Sequence, residues 1–457
     1  MKSKLTKKQK NIIRTWRKNS VMLFAIVLYG FALIGLLIPL RPSTSQKEKR
    51  KLTAFPTPTL TTFVNGQFFS DLSLWYSDTY PMRDTLVSAD QSLKNLYGLE
   101  ASVQMVGGDT KADEIPVATK QETTEFPIAT FTDSTDTTTE VTHKKEPVLP
   151  DSKAMEAEIQ NQIQDGVYIK DGAAYSVYYF TQSSADTYIE ALEHAAATVS
   201  QNGGKLYSIL VPNQSGVLLS QDTLDKLGGS NQEQAIDYYY NSYNQVVPVD
   251  AFHPLREHNE EYIYFRTDHH WTQLGAYYAY QSFCKAKGIS PHDLSTFAKT
   301  QRFEPFYGSF YASYANSQMT DNPDYVDAYY PNDTNDLTFW DTDGTKYDWQ
   351  VITDVTGWSS DSMYACFIGG DKPLSIVHNP KINDGSSCLV LKESYGNCFV
   401  PFLIDHYQDI HVIDFRYAQE NVMDYMRENH IKDLIVINNI TIIGSTDVAN
   451  TISQLLQ

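Results

Sequence analysis

The sequence predicts an α/β fold in which a mostly parallel β-sheet is flanked by helices and preceded by one N-terminal transmembrane helix. Short apolar runs typical of buried strands support the sheet: KLYSILVPNQ, SSCLVLKES and DLIVINN, the last at residues 433–439, with DIHVIDFR (409–416) between the last two. A run at 184–204 has helical periodicity, with Ser184 as the expected N-cap and Gly203-Gly204 as the stop. Alternation of strands and helices favours parallel pairing, and in such sheets sites lie beyond the carboxyl ends of the strands.

The N-terminus predicts a signal anchor. The first eighteen residues carry eight Lys or Arg and no acidic residue, and residues 21–40 carry no charge. Twenty helical residues span roughly 30 Å, the hydrocarbon thickness of a bilayer. The positive-inside rule then places residues 1–18 in the cytoplasm as a basic tail, 19–40 in the membrane, and the remainder outside the cell. A cleaved signal peptide and a buried core helix are the alternatives; Pro39-Leu40-Arg41-Pro42 is a poor cleavage site.

Composition excludes several function classes. The formal net charge is −19, and without the basic tail 28 basic residues face 55 acidic ones, so phosphates would be repelled and no nucleic-acid partner is expected. Four cysteines without a C-x-x-C pair exclude a zinc ribbon or a disulfide scaffold. A domain outside the cell has no ready supply of ATP, acetyl-CoA or NAD(P)H. We therefore expect no cofactor, and either hydrolysis or acceptance of an activated group.

The extracellular part divides by composition. Residues 41–107 form its N-terminal part and include aromatic residues at helical spacing. Residues 108–152 are dominated by Thr, Asp, Glu and Pro, which is typical of a disordered insertion. Residues 153–457 form the α/β domain, beginning with short strands predicted in the stretch GVYIKDGAAYSVYYF.

The first stretch that could carry chemistry is Asp268-His269-His270-Trp271, which stands at the start of a predicted helix. In an Asp-x-His pattern the carboxylate can contact the imidazole across a turn, select its tautomer and stabilise the imidazolium. A surface turn that happens to hold these residues is the alternative.

The second stretch is LVLKESYGN, in which a buried strand runs directly into Glu393 and Ser394. A serine at a strand-to-turn corner exposes its hydroxyl, and nearby backbone N–H groups can face a developing oxyanion. The hydrolase elbow G-x-S-x-G is absent, so an ordinary α/β-hydrolase is excluded. The alternative, that Ser394 caps the next helix, is compatible with a nucleophilic role.

Together the two stretches resemble a known family. RTDHHWTQLGAYYAY is similar to the characteristic sequence of the DHHW proteins of Gram-positive bacteria, which are related to the SGNH-like domains of alginate O-acetylation proteins. LVLKESYGN resembles the nucleophile block of that family, and RKLTAFP (50–56), FSDLSLWYSDTYPMRD (69–84) and LVPNQ (210–214) resemble other parts of it. The resemblance runs from about residue 50 to the C-terminus, apart from the predicted insertion.

The resemblance implies an SGNH-hydrolase-like fold with Ser394 as the nucleophile, His270 as the base and Asp268 as its orienting acid, while His269 is a neighbour. The expected oxyanion donors are backbone N–H groups near Ser394 and Gly396 and the side chain of Asn397. One departure matters: typical SGNH enzymes carry Gly-Asp-Ser where this chain has Lys392-Glu393-Ser394.

The implied function is that of a membrane-anchored, extracellular O-acetyltransferase or esterase acting on a cell-surface polysaccharide. The transferase version implies a multi-pass membrane O-acyltransferase as a partner that supplies the acyl group. An inactive SGNH-like module that binds glycan or scaffolds a cell-envelope assembly is the alternative. A metal phosphoesterase reading, using the Asp268–His270 run with His253 and His258, is disfavoured because no upstream D-x-D set completes a dinuclear site; no metal is expected.

Overall fold

The computed structural model describes residues 22, 41, 44–45, 50–51, 54–58, 63, 67–82, 103–107, 112–116, 165–314 and 317–457. The predicted basic tail, nearly all of the predicted transmembrane segment and most of the predicted insertion lie outside the described residues. Within the described ranges, no helix combines the length and the apolar character needed to cross a bilayer. The chain divides into two compact units, residues 1–100 and 101–457.

The described part of the first unit contains two short strands and a helix. The strands β1 (Thr44–Ser45) and β2 (Arg50–Lys51) pair antiparallel, and helix α1 spans Gln67–Asp78. The guanidinium of Arg41 lies 3.9 Å from the centre of the Trp75 ring and donates a hydrogen bond to Thr79 Oγ1 at 2.9 Å. This cation–π contact holds residue 41 against the C-terminal turn of α1.

The second unit alternates strands and helices over most of its length. Its strands are β3 (Val103–Gly107), β4 (Asp165–Lys170), β5 (Ala173–Ser176), β6 (Leu206–Val211), β7 (Val247–Val249), β8 (Lys299–Phe306), β9 (Asp324–Tyr330), β10 (Asp336–Trp340), β11 (Lys346–Gln350), β12 (Leu374–His378), β13 (Ser387–Lys392), β14 (Asp409–Asp414) and β15 (Asp433–Asn439). Its helices are α2 (Gln182–Gln201), α3 (Gln214–Leu218), α4 (Gln221–Lys226), α5 (Gln232–Ser242), α6 (Phe252–Glu257), α7 (Gln273–Lys287), α8 (Ser309–Tyr314), α9 (Ser317–Asp321), α10 (Val422–Glu428), α11 (Ile440–Ile443) and α12 (Thr446–Leu456).

The central sheet has eight strands in the order β11-β10-β12-β14-β13-β15-β6-β7. The five strands from β14 to β7 pair parallel, whereas β11, β10 and β12 add antiparallel pairings at one side. The α/β class is confirmed, the three buried strands expected from the apolar runs are β6, β13 and β15, and DIHVIDFR contains β14. The expectation of a mostly parallel sheet is corrected to a mixed sheet. The reason is that β12 pairs antiparallel with β14, and the β10–β11 hairpin then pairs antiparallel with β12.

Alternation along the parallel strands separates two hydrophobic cores. In β13, Val390 belongs to one core whereas Leu389 and Leu391 belong to the other. Helix α7 packs on the first side through residues such as Phe283, and α2 packs on the second side through residues such as Leu192. Because both faces are covered, every residue of β6, β13 and β15 is buried, which explains their continuous apolar runs.

Helix α2 begins earlier than its sequence pattern indicates. Thr181 is the N-cap residue, and the backbone N–H of Gln182 donates to Asp113 Oδ2 at 2.9 Å. The predicted N-cap, Ser184, is wrong: its side chain is buried, with its hydroxyl 3.1 Å from that of Thr446. The partner that satisfies the helix start comes from residues 112–116, inside the segment whose composition predicts disorder.

Two smaller sheets and a short helix surround the carboxyl end of the parallel strands. Strands β3, β4 and β5 form one antiparallel sheet, and β8 and β9 form another. Ala174 N–H donates to Arg266 O at 2.9 Å, and Tyr311 N–H donates to Thr267 O at 3.0 Å. The β4–β5 hairpin and α8 are thereby attached to the loop that precedes Asp268. The four cysteines are buried and free, including Cys388 and Cys398, whose pairing the sequence left open.

Candidate active site

The two chemistry-bearing stretches meet at the end of β13. Tyr264 and Trp271 form an antiparallel bridge that closes the loop holding the two histidines, and the hydroxyl of Thr272 caps α7 through Gly275 N–H at 3.3 Å. The Trp271 side chain is fully buried, and its indole N–H donates to the carbonyl of Tyr395 at 2.9 Å. A single indole therefore joins segments 124 residues apart.

The structure brings Ser394, His270 and Asp268 into one hydrogen-bonded line. Ser394 Oγ lies 2.7 Å from His270 Nε2, and His270 Nδ1 lies 2.6 Å from Asp268 Oδ1. All three side chains are buried, and Ser394 and Glu393 reach the wall of a cavity. These distances suit transfer of a proton from the serine to an imidazole that a carboxylate orients.

Asp268 is held in place from several sides. Its Oδ2 accepts from Ser309 N–H at 2.7 Å, and its carbonyl accepts from the Gln214 amide at 3.0 Å. Burial alone raises the pKa of this carboxyl, but the neighbouring His270 and the Ser309 N–H hold that pKa well below its usual range. Asp268 is therefore an ionised carboxylate when it faces the imidazole.

His269 lies beside this line without joining it. Its Nδ1 lies 2.6 Å from Ser309 Oγ, and its side chain remains 41% exposed at the cavity wall. Burial and the neighbouring His270 lower the pKa of the imidazole. The structure thus places His269 as a neighbour, as the resemblance implied.

Glu393 is a buried carboxyl group in direct contact with Ser394. Its Oε2 accepts from Tyr395 N–H at 3.0 Å and lies 3.2 Å from Ser394 Oγ, and its Oε1 accepts from Asn439 N–H at 2.9 Å. Burial raises the pKa of the Glu393 carboxyl, against the opposing effect of the guanidinium of Arg416. Glu393 therefore braces the turn that carries the serine.

Lys392 does not line the cavity, and its side chain ends in a buried cluster of charges. Its Nζ lies 2.9 Å from Asp414 Oδ2 and 3.1 Å from Asp371 Oδ1, and Arg416 contacts both carboxylates. Burial lowers the pKa of the Lys392 ammonium, but Asp414 and Asp371 outweigh burial and raise it. Lys392, which stands where the typical block has glycine, is thus a charged side chain that packs next to the turn carrying Ser394.

The expected oxyanion donors are already engaged. Gly396 N–H donates to the carbonyl of Glu393 at 2.9 Å, and the Asn397 amide donates to Asp371 Oδ1 at 2.9 Å. Neither residue lines the cavity, whereas the side chain of Asn213 does, at the end of β6. Sequence reasoning did not single out Asn213, although LVPNQ follows a buried strand and the strand-end rule points to it.

The cavity beside Ser394 has a volume of about 410 Å³. The cavity is lined by residues of strand β4, the end of β5 and helix α8, and by residues at or just after the ends of β6, β13, β14 and β15. Its lining residues are Val167, Ser176, Asn213, His269, Ser309, Phe310, Ser313, Tyr314, Glu393, Ser394, Tyr395, Arg416, Asn439, Thr441 and Ile442. Aromatic and aliphatic groups therefore face hydroxyl and amide groups across a space large enough for a sugar-sized ligand.

The donor atoms of the Asp268–His270 run lie within 4.8 Å of one another, which is compatible with a metal ion. However, both ring nitrogens of His270 already have partners in the line to Ser394. His253 pairs with Asp250 at 2.9 Å, and His258 pairs with Glu261 at 2.7 Å. The two additional histidines of the metal reading thus have acidic partners of their own, and the hydrogen-bonded line accounts better for this site.

A protein-family model described as "DHHW protein" matches residues 48–413. A DHHW family protein from Eubacterium siraeum is similar in structure: the sequences are 28% identical, the match covers 63% of this chain and 93% of that one, and the TM-score is 0.56. Two structures of Bacillus cereus PatB1, one with a sulfonyl adduct, are 18% and 21% identical, cover 62% of this chain and 96% and 97% of their own, and have TM-scores of 0.52 and 0.51. No curated protein sequence matches this chain.

Proposed function

The chain belongs to the DHHW family, and on that premise we propose that it transfers or removes an acyl group, most readily acetyl, on a cell-surface polysaccharide. The observation that carries the proposal is the unbroken line from Ser394 Oγ through His270 to Asp268, with separations of 2.7 and 2.6 Å. The likeness to PatB1 supports the fold that holds these residues, a large mixed sheet flanked by helices.

In the proposed reaction Ser394 Oγ attacks the ester carbonyl while its proton moves to His270 Nε2. Asp268 stabilises the imidazolium through Nδ1. The tetrahedral intermediate collapses, the leaving alcohol takes the proton from Nε2, and an acyl-serine remains. A sugar hydroxyl or water then gives its proton to His270 and attacks the acyl group, which restores Ser394. Asn213 lines the cavity, and one N–H of its side-chain amide donates to Thr441 Oγ1 at 2.9 Å; the other N–H of this amide is the proposed donor to the oxyanion.

The membrane anchor remains part of the proposal. The charge-free run at residues 21–40 behind a basic tail supports a single pass with the catalytic unit outside the cell. Because acetyl-CoA is not available there, the transferase version needs a multi-pass membrane acyltransferase that delivers the acyl group. The hydrolase version needs no partner.

The test is covalent labelling of the full chain in detergent micelles with a fluorophosphonate probe and with phenylmethylsulfonyl fluoride. We expect one label on Ser394, seen by peptide mass spectrometry, together with turnover of 4-nitrophenyl acetate. Ser394→Ala should lose both, whereas Ser359→Ala, at an exposed serine outside the cavity, should keep both. Unchanged turnover in Ser394→Ala would rule the mechanism out.

Labelling and turnover, together with metal analysis and an oligosaccharide acceptor, separate the alternatives. A folded chain that neither labels nor turns over ester supports a glycan-binding or scaffolding module. Stoichiometric manganese or zinc in the purified protein would support the metal phosphoesterase instead. Acetylated oligosaccharide formed from 4-nitrophenyl acetate distinguishes transfer from hydrolysis.

A further inference from the structure

Tyr364 lies flat against the imidazole of His270. The two ring centroids are 4.1 Å apart and the ring planes differ by 13°. Tyr364 belongs to the 3₁₀ turn Met363–Cys366, 30 residues before Ser394, and no motif singles it out in the sequence. It does not line the cavity, so any effect that it has on the reaction must act through its neighbours.

The hydrogen bonds of His270 leave the faces of its ring to other contacts. Both bonds, to Asp268 and to Ser394, are made at the ring nitrogens, and neither contacts the face of the ring. Rotation of the ring about its Cβ–Cγ bond moves the nitrogen lone pair and N–H out of alignment with these partners. A flat aromatic contact on the ring face blocks that rotation, and Tyr364 provides it.

The same side chain also holds the nucleophile segment. The Tyr364 hydroxyl donates to the carbonyl of Ser394 at 3.0 Å, and the same hydroxyl oxygen lies 3.4 Å from Cys398 Sγ. Burial raises the pKa of the phenol well above its usual value, so the group keeps its proton and remains a donor. The Tyr364 ring makes edge-to-face contacts with Phe265 and Phe367, at centroid separations of 6.0 and 5.4 Å.

We propose that Tyr364 is a positioning residue of the proposed reaction: its ring fixes the plane of the His270 imidazole and stabilises the imidazolium, and its hydroxyl ties that base to the Ser394 turn. The negative face of an aromatic ring attracts a cation stacked on it, so the contact strengthens when His270 takes the serine proton. The stabilisation is greater in the transition state than in the ground state, and it therefore raises kcat rather than lowering KM. This role rests on the proposed acyl chemistry.

The experiment compares Tyr364→Phe, which keeps the ring and removes the hydroxyl, with Tyr364→Leu, which removes both. The full chain in detergent micelles is assayed with 4-nitrophenyl acetate and with the fluorophosphonate probe. We expect Tyr364→Leu to lower kcat and the labelling rate roughly 5- to 30-fold with KM unchanged. Tyr364→Phe should restore kcat to within about threefold of the wild type, because the aromatic face is retained.

A matched control is Tyr425, a buried tyrosine that contacts a different histidine. Its hydroxyl lies 2.7 Å from His411 Nδ1, and the pair belongs to the opposite core, away from the cavity. Tyr425→Leu should lower the thermal midpoint and leave kcat unchanged. If Tyr364→Leu does not fold, Tyr364→Met, which has similar bulk and no ring face, replaces it.

The outcomes decide separately on the residue and on the reaction. Wild-type kcat in Tyr364→Leu or Tyr364→Met overturns the role of Tyr364 and leaves the proposed function standing. A loss of more than tenfold in Tyr364→Phe overturns the role assigned to the ring face, because the hydroxyl would then carry the effect. A folded wild-type chain that shows neither labelling nor turnover contradicts the proposed function itself, and the role of Tyr364 falls with it.

Discussion

Lys392 and Asp414 are register partners across β13 and β14, and they form a wholly buried ion pair with 2.9 Å between Nζ and Oδ2. Lys392 lies two residues before Ser394, and Asp371 and Arg416 complete the charge cluster; Arg416 also lines the cavity. Buried ion pairs therefore stabilise the end of β13, from which the turn with Ser394 begins.

Replacement of Lys392 by methionine should destabilise the protein by about 3 kcal/mol. A buried carboxylate that loses its partner typically costs about 3–5 kcal/mol, and Arg416 continues to neutralise part of the charge of Asp414. Urea unfolding followed by tryptophan fluorescence measures the change. Arg427→Met removes an exposed pair with Asp424 and should cost less than about 1 kcal/mol. Equal costs for the two variants would contradict the bracing role of Lys392.

Gly308→Ala should strongly reduce acyl turnover although residue 308 makes no contact with Ser394. A Cβ at this position would lie 2.1 Å from Asp268 Cβ and 2.3 Å from its Oδ2, so the carboxylate must shift. A displacement of about 1 Å at a catalytic group can cost roughly a hundredfold in rate. The rate of 4-nitrophenyl acetate hydrolysis measures the loss of turnover. Gly444→Ala, where the nearest atom is 3.2 Å away, is the control; comparable rates in both variants would exclude Asp268 from the reaction.

The stability contributed by Glu393 should decrease as the pH rises. Burial raises the pKa of its carboxyl above the value of about 4.3 in an unfolded chain. The wild type should therefore exceed Glu393→Gln in stability most below about pH 4, and should lose that advantage as the pH rises through the folded-state pKa. Unfolding free energies of both proteins from pH 4 to 8 test this.

The groups facing Glu393 are Arg416, His270 and the backbone N–H groups of Tyr395 and Asn439. Glu428→Gln, which removes an exposed carboxyl, is the control measured over the same range. A wild-type advantage over Glu393→Gln that grows with pH would mean that the backbone donors outweigh burial.

Asp113→Ala should destabilise the second unit by about 1 kcal/mol. The Asp113 carboxylate accepts from the first N–H of α2, and its own N–H donates to Phe180 O at 2.9 Å. Loss of a carboxylate at a helix start typically costs about 0.5–2 kcal/mol. Urea unfolding of the full chain measures it, with Glu114→Ala at the next, exposed position as the control. If both substitutions have the same effect, the contact with α2 does not matter.

Local patterns predicted part of this arrangement well. Apolar runs located β6, β13 and β15, because strands that are covered on both faces bury mostly apolar side chains. The start of α2 was misplaced because its partner, Asp113, is distant in sequence. The sequence identified Gly396 and Asn397 as oxyanion donors by proximity to Ser394, yet the fold directs their N–H groups to other acceptors.

The sequence by itself determined the class of fold, the family and the identity of the residues able to form a proton relay, because these depend on local periodicity and on the order of residues along the chain. Only the tertiary structure decided that Ser394 meets His270, that Tyr364 covers that imidazole and that Lys392 turns to Asp414. Each of these contacts joins side chains 22 to 124 residues apart. Packing across the sheet sets such distances, and no local pattern encodes them.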